Sequence, residues 1–336
     1  MDIGIMGIGT YTPSASMSAA EIAEKSGIPE NVISEKFGIN RKAVPGPEDT
    51  TSALGIKAAR AAIKNAGILP SEIDLIIWFG AQHKDYLCWL AGLKVAHEIG
   101  AVNAWAFDLS AMCGSLMTGI EVARSMMLGN DNINTVLLVS GYRNGDLVDF
   151  NVPETSFMFD LGAGGNGLIL RKDYKRNTVL CSSFIGDGSF SEDCIIKYGG
   201  TKNWPLKAGD FDKVYFTIDD PDNFKKKLME KTLPNFFSVI DQALKKSGLS
   251  RKDIDYLALL HFKKSAHMAI LEELELTEEQ STYLDDFGHT GQNDQIISLE
   301  EGLANGKINE GANVVLVGAG LGFVWSATVI KWGSLR

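Results

Sequence analysis

The sequence predicts an α/β protein of two similar halves, with mixed sheets largely covered by helices. Three observations predict it. Short apolar, β-branched runs alternate with segments of helical period along the chain. The block AIKNAGILPSEIDLIIWFG (62–80) aligns without gaps with ALKKSGLSRKDIDYLALLH (243–261), and Ala62/Ala243, Lys64/Lys245, Gly67/Gly248, Ile73/Ile254 and Asp74/Asp255 are identical. A second echo follows in the same order, NTVLLVSG (134–141) against NVVLVGAG (313–320). Two echoes in one order point to a duplication. The division falls at RKDYKRN, giving an N-terminal half at 1–171 and a C-terminal half at 172–336.

In chain order, strands are expected at 2–9, 74–80, 104–110, 135–141 and 165–170 of the first half. The second half offers 178–186, 213–218, 255–261, 313–320 and 326–332. Helical periodicity covers 50–66, 89–98, 114–128, 223–247, 265–274 and 294–305. The uncharged run ANVVLVGAGLGFVWSATVI (312–330) is long enough to span a bilayer. Gly318, Gly320 and Gly322 interrupt it between β-branched stretches, so two strands joined by a glycine-rich turn is the better reading. The opening MDIGIMGIGTYTPSAS reads as a strand and turn, not as a leader.

Composition narrows the function classes. Hydrophobic residues make up 45% and charged residues 22%, as in ordinary globular proteins. A net charge of −10 opposes nucleic-acid binding, which needs a basic field. The four cysteines, Cys88, Cys113, Cys181 and Cys194, form no C-x-x-C pair, and the histidines lack ligand spacing, so no metal site is expected. So few cysteines suit a reducing compartment, and the expected localisation is cytoplasmic.

The chemistry concentrates at AWAFDLSAMCGSLMTGIE (104–121), where a strand runs into a helix with Cys113 at the junction. A thiol at a helix N-terminus meets unpaired N–H groups and the positive end of the dipole, which favour the nucleophilic thiolate. The small Ala111, Gly114 and Ser115 leave room for a substrate. A buried structural cysteine is the bland alternative. The corresponding junction of the second half, DDFGHTGQND (285–294), holds His289, and the strand ending LLH puts His261 at its C-terminal end. Active sites of open α/β sheets collect at such ends, so the three side chains can converge if the halves pack back to back. A neighbouring imidazole would stabilise the thiolate and exchange protons with the substrate. Otherwise His261 is a strand-end histidine satisfied by backbone, and His289 a helix-capping turn residue.

Taken together, these segments resemble the type III β-ketoacyl-acyl-carrier-protein synthases of the thiolase superfamily over nearly the whole chain. GIGTYTP (7–13) is similar to the family's opening strand and turn. KFGINRKAVPGPEDTTSALGIKAARAAIKNAG (36–67) is similar to its T-G-I-x-x-R segment and following helix. KDYLCWLAGLKVAHEIGAVNAWAFDLSAMCG (84–114) is similar to the approach to the nucleophile, and GAGLGFVWSATVIKW (318–332) to the C-terminal hairpin. The resemblance implies a thiolase-like fold, two halves with five-stranded mixed sheets in αβαβα layers. It implies a condensing acyltransferase that loads an acyl group on Cys113 and joins it to a malonyl-type thioester by Claisen condensation. His261 and His289 would complete the catalytic set, with His289 in a GHT context where type III enzymes usually carry asparagine. The backbone N–H groups of Cys113 and Gly322 would form the oxyanion hole.

The histidine strand departs from the family's P-H-Q-A-N, reading LHFKKSAHMAI, so His267 stands as a rival to His261. Val32 and Lys36 replace the tryptophan and arginine that grip coenzyme A, so stacking on the adenine would be lost. Acyl-CoA and acyl carrier protein are the expected partners, with no cofactor beyond these thioesters. Lys263 and Lys264 are the candidate docking residues, next to Lys36 as a binding candidate. A homodimer is implied, with 84–105 at its interface. Two alternatives remain: a non-catalytic or acyl-binding subunit of a heteromeric complex, and a condensing enzyme of the hydroxymethylglutaryl-CoA synthase type, whose glutamate base has no motif here.

Overall fold

The computed structural model describes residues 2–334. The first half contributes β1 (Ile3–Tyr11), β2 (Ser16–Ser18), α1 (Ala19–Ser26), β3 (Arg41–Ala43), α2 (Thr51–Ala66), β4 (Leu75–Phe79), α3 (Ala91–Ile99), β5 (Trp105–Leu109), α4 (Ser115–Gly129), β6 (Thr135–Tyr142) and β7 (Gly164–Lys172). The second contributes β8 (Arg176–Gly186), β9 (Ile195–Ile196), β10 (Phe216–Thr217), α5 (Pro221–Lys246), β11 (Tyr256–Leu259), α6 (Lys264–Glu273), α7 (Asp294–Ala304), β12 (Asn313–Gly320) and β13 (Val324–Ser334). The main sheet runs β11-β12-β13-β8-β1-β7-β6-β4-β5. Its two parts meet at β1 and β8 through the single pair Gly4–Thr178.

One series of pairings occurs twice. β4 runs parallel to β6, β6 antiparallel to β7, and β7 antiparallel to β1. Likewise β11 runs parallel to β12, β12 antiparallel to β13, and β13 antiparallel to β8. The aligned blocks 62–80 and 243–261 fall on matching elements, the ends of α2 and α5 and the strands β4 and β11.

Side-chain alternation builds the layers. In β4, Leu75, Ile77 and Phe79 pack with Leu116, Met117 and Ile120 of α4. Ile76 and Trp78 point the other way, onto Ile63 of α2 and Val95 of α3. In β12, Val314 and Leu316 meet Ile296 and Leu299 of α7, whereas Val315 and Val317 face Phe236, Val239 and Ile240 of α5. The order is helix, sheet, helix, sheet, helix, the five layers of a thiolase-like fold. Both strand faces are buried, which explains the near-continuous apolar runs.

Three details differ from the sequence reading. The second half has four strands, and its fifth shrinks to one parallel bridge, Leu257–Ser281. The chain leaves the sheet there because its next backbone groups pair elsewhere: Asp285 O accepts from Asn40 and Arg41, and Phe287 O from Ala43. The 213–218 run keeps only Phe216 and Thr217 as strand, paired with Ile195–Ile196 in a short ribbon. Helix α1 was not expected; a capping box between Ser18 and Glu21 starts it, and Gly27 in the left-handed region ends it. The 312–330 run is the β12–β13 hairpin, and among the described residues no helix is long and apolar enough to cross a membrane.

Candidate active site

Cys113 follows β5 in a tight turn, Met112–Gly114, that leads into α4. Met112 takes a left-handed φ of 51°, a conformation uncommon outside glycine. Ser115 secures the turn: its Oγ accepts from Ala111 N–H at 2.7 Å and donates to Met112 O at 2.6 Å. Gly320 of β12 lies against the same backbone, where an added Cβ would stand 2.5 Å from Ala111 O and 3.0 Å from Cys113 N. The second half thus presses directly on the Cys113 turn.

His289 reaches Cys113 from the segment before α7, with Nε2 3.3 Å from Sγ. Its Nδ1–H donates to Asp294 Oδ2 at 2.5 Å. Asp294, fully buried at the first position of α7, also accepts from the Thr290 N–H and hydroxyl, both at 2.7 Å, and from His261 N–H at 2.8 Å. The helix N-terminus favours its negative charge. Burial alone would lower the basicity of His289, but the charges of Asp294 and Cys113 and their hydrogen bonds outweigh it, holding this imidazole well above the ordinary histidine range. Cys113, His289 and Asp294 form a continuous hydrogen-bonded chain.

His261 stands just past β11, its Nδ1 2.9 Å from Asp160 Oδ2 and its Nε2 3.2 Å from Gly38 O. Asp160 also anchors the main chain of the second histidine, since its backbone carbonyl accepts from the His289 backbone N–H at 2.9 Å. Behind Asp160 lies the buried Lys42, whose ammonium donates to Leu161 O at 2.9 Å. Tyr142, buried at the end of β6, lines the same cavity as Cys113, its ring centroid 6.2 Å from that of His289. Burial, with the charges of Cys113, Asp294 and Asp160, pushes its hydroxyl well above the usual range, so it stays a donor.

These groups form one end of a cavity of about 180 Å³ that Cys113, His261 and His289 all line. The remaining wall is almost wholly apolar, with Phe157, Phe216, Leu228, Phe236, Phe262 and Phe323 prominent. His267 lies outside it, buried in the first turn of α6 with Nε2 3.2 Å from Ser281 Oγ. Burial pushes its imidazole down to about 4, which leaves it neutral. Gly322 sits between the lining residues Leu321 and Phe323 at φ +135°, with open space where a side chain would be.

Lys36 is exposed on the turn Val32–Phe37. Exposed Lys263 and Lys264 open α6, with their ammonium groups over the rings of Phe37 and Tyr283, each at 5.8 Å. Among the described residues no three His, Cys, Asp or Glu side chains group to hold a metal ion. The sequence reading missed Asp160, Asp294 and Tyr142. Asp294 had a signal, an acid at a helix start five residues after a candidate histidine. Asp160 and Tyr142 had none, because only tertiary packing brings them to the site.

Comparison with known proteins agrees with this arrangement. The family model described as 3-oxoacyl-[acyl-carrier-protein (ACP)] synthase III matches residues 107–188, and that of its C-terminal part matches 244–332. The chain is 30% identical over 339 residues to the beta-ketoacyl-[acyl-carrier-protein] synthase III of Clostridioides difficile, covering 98% of both chains. It is 28% identical to the enzyme of that name from Clostridium tetani, again covering 98% of each. The crystal structure of the 3-oxoacyl-(acyl carrier protein) synthase III of Pseudomonas aeruginosa superposes with a TM-score of 0.85 at 22% identity, covering 100% of both chains. The twofold series of strand pairings and the likeness along the full length lead to one conclusion: the chain belongs to the β-ketoacyl-acyl-carrier-protein synthase III family of condensing acyltransferases, in the thiolase superfamily.

Proposed function

We propose that Cys113 is the acyl-accepting nucleophile, that His289 serves its proton transfers, and that His261 serves the condensation. The observation that carries this reading is the 3.3 Å approach of His289 Nε2 to Cys113 Sγ at one end of an apolar cavity that His261 also lines. In the first step the sulfur attacks an acyl thioester carbonyl, and a new C–S bond forms. The developing oxyanion takes hydrogen bonds from Cys113 N–H and from the 320–322 turn, with Gly322 N–H as second donor, each worth roughly 3 kcal/mol of barrier. His289 Nε2 takes the thiol proton as the sulfur attacks, Asp294 stabilises the resulting imidazolium, and when the donor's C–S bond breaks the leaving thiolate takes that proton from Nε2. In the second step a malonyl thioester loses CO₂, and the electron pair left on carbon is delocalised onto the thioester oxygen. That oxygen needs a hydrogen-bond donor, which the His261 imidazole supplies. The carbanion attacks the acyl carbonyl, and the bond to Cys113 breaks.

The apolar lining suits a hydrocarbon acyl chain, and no cofactor beyond acyl-CoA or acyl-carrier-protein thioesters is needed. Lys263, Lys264 and Lys36 supply positive charge for the phosphate of a carrier arm or for an acidic carrier protein. The likeness to enzymes named for acyl carrier protein along the whole chain supports that partner. A homodimer is supported by exposed Tyr86, Leu87, Leu90, Leu93, Val102 and Trp105, which gather beside the edge strand β5. The free cysteines suit a reducing cytoplasm.

Mass spectrometry after incubation with acyl-CoA tests the nucleophile. Cys113→Ala should form no acyl-enzyme, and Cys113→Ser should turn over at least about 10³-fold more slowly. Normal condensation by both variants would sink the assignment.

A further inference from the structure

Asp160 lies at the meeting of the two halves, with its side chain on the His261 imidazole and only its main chain on His289, so its carboxylate stands apart from the hydrogen-bonded chain that reaches Cys113. Its carboxylate takes the Nδ1 edge of His261 at 2.9 Å, and its backbone carbonyl takes the His289 backbone N–H at 2.9 Å. His261 has nothing corresponding to the link between His289 and Cys113. Its Nε2 faces the Gly38 carbonyl at 3.2 Å, the longest of the hydrogen bonds around the pair of rings apart from that to sulfur. Both partners of His261 are acceptors, and a ring that donates through both nitrogens is the doubly protonated one. An anionic oxygen competes well with a neutral carbonyl for such a donor. Lys42, whose Nζ donates to Leu161 O, keeps positive charge behind Asp160 in an otherwise apolar setting.

We infer that Asp160 is a positioning residue for the condensation half-reaction: it clamps His261 by Nδ1 so that the Nε2–H edge is available to the thioester oxygen of the extender unit. This inference rests on the condensing mechanism above and divides its labour. The chain Cys113–His289–Asp294 serves acyl loading. The pair Asp160–His261 serves decarboxylation, in which the bond from carbon to CO₂ breaks, CO₂ departs, and the electron pair moves toward an oxygen held by His261. No proton is consumed until the carbanion has formed its new carbon–carbon bond.

The test compares wild type, Asp160→Asn, His261→Ala and the double variant in two partial reactions. One is acyl transfer from acyl-CoA to Cys113, read by mass spectrometry. The other is release of labelled CO₂ from malonyl-CoA. In Asp160→Asn, loading should stay within about threefold of wild type while CO₂ release falls about 10–100-fold, the usual range for loss of a residue that orients a functional histidine. In the His261→Ala background the same change should have no further effect. Equal losses in both reactions, unchanged CO₂ release, or additivity with His261→Ala would overturn the inference.

A substrate-free measurement separates it from the mechanism it rests on. In protein labelled with ¹⁵N-histidine, the exchange-protected Nδ1–H resonance of His261 should vanish in Asp160→Leu while the His289 ring signals persist. Wild type releasing no CO₂ would count against the condensing mechanism alone. Persistence of the His261 resonance in Asp160→Leu would count against the clamp.

Discussion

Asp294 accepts hydrogen bonds from His261 N–H, His289 Nδ1–H and the Thr290 N–H and hydroxyl, so its removal strands several buried donors at once. Asp294→Ala should cost about 3–5 kcal/mol of stability, because a charge partner is lost without solvent to replace it. The milder Asp294→Asn should fold yet load Cys113 on the order of 10²–10⁴-fold more slowly, since the tautomer and charge of His289 lose their support. Denaturant melts and acylation rates on the two variants check this, and wild-type loading by Asp294→Asn would refute it. Lys42 gives a test of opposite character. Burial pushes its ammonium down to about 8 against the pull of Asp160. Between that value and an unfolded value of about 10.4 the unfolded chain binds more protons, so stability should rise with pH in this window by up to roughly 3 kcal/mol relative to Lys42→Met. The raised His289 has the reverse sign: its contribution is full below about pH 6.5 and is lost as pH rises through its folded value. Because Lys42→Met keeps His289, the comparison cancels that slope, and parallel pH profiles for the two proteins would refute the Lys42 reading. Cys113, His261 and His289 were legible because each stands at the end of a strand or the start of a helix. Asp160 was not, because an aspartate in a loop carries no local mark of burial.

The turns that carry Cys113 and His289 are fixed by close backbone approach. Gly291 takes φ +64°, and an added Cβ would come within 2.3 Å of the Tyr142 ring, so Gly291→Ala must displace the segment between His289 and Asp294. Gly320→Ala would push on Ala111 O and the Cys113 amide instead. Each should cost about 1–3 kcal/mol and slow acyl loading, measurable by thermal melts and single-turnover labelling. Loading at the wild-type rate in both would show that the turns tolerate movement. Most elements were legible from periodicity, since the strands are short apolar runs and α2, α3 and α5 carry polar outer faces. The exceptions have local causes. The fifth strand of the second half gives its pairing to 40–43, and α1 is too short for its period to stand out beside its caps.

Across the whole molecule, apolar side chains beside β5 and basic ones at the start of α6 mark two different surfaces. Leu87→Asp with Leu93→Asp should convert a dimer to a monomer in light scattering; a wild-type monomer would refute the interface. Lys263→Glu with Lys264→Glu should raise the KM for an acyl carrier protein about tenfold, a larger rise than for the CoA thioester, with the effect fading as salt rises. Equal effects on both donors would place docking elsewhere. The duplication was visible in two aligned blocks, whereas the packing of one half's glycine hairpin on the other half's Cys113 turn was not.

The two-handed grip of Asp160 reaches beyond this one chain. An acid from the first half holds a ring and a stretch of main chain that belong to the second, so neither half is interchangeable by itself. Chimaeras that graft a relative's C-terminal half onto this N-terminal half should work only when the donor ring was shaped for an aspartate there. Natural variants should change the two ends of the grip in step.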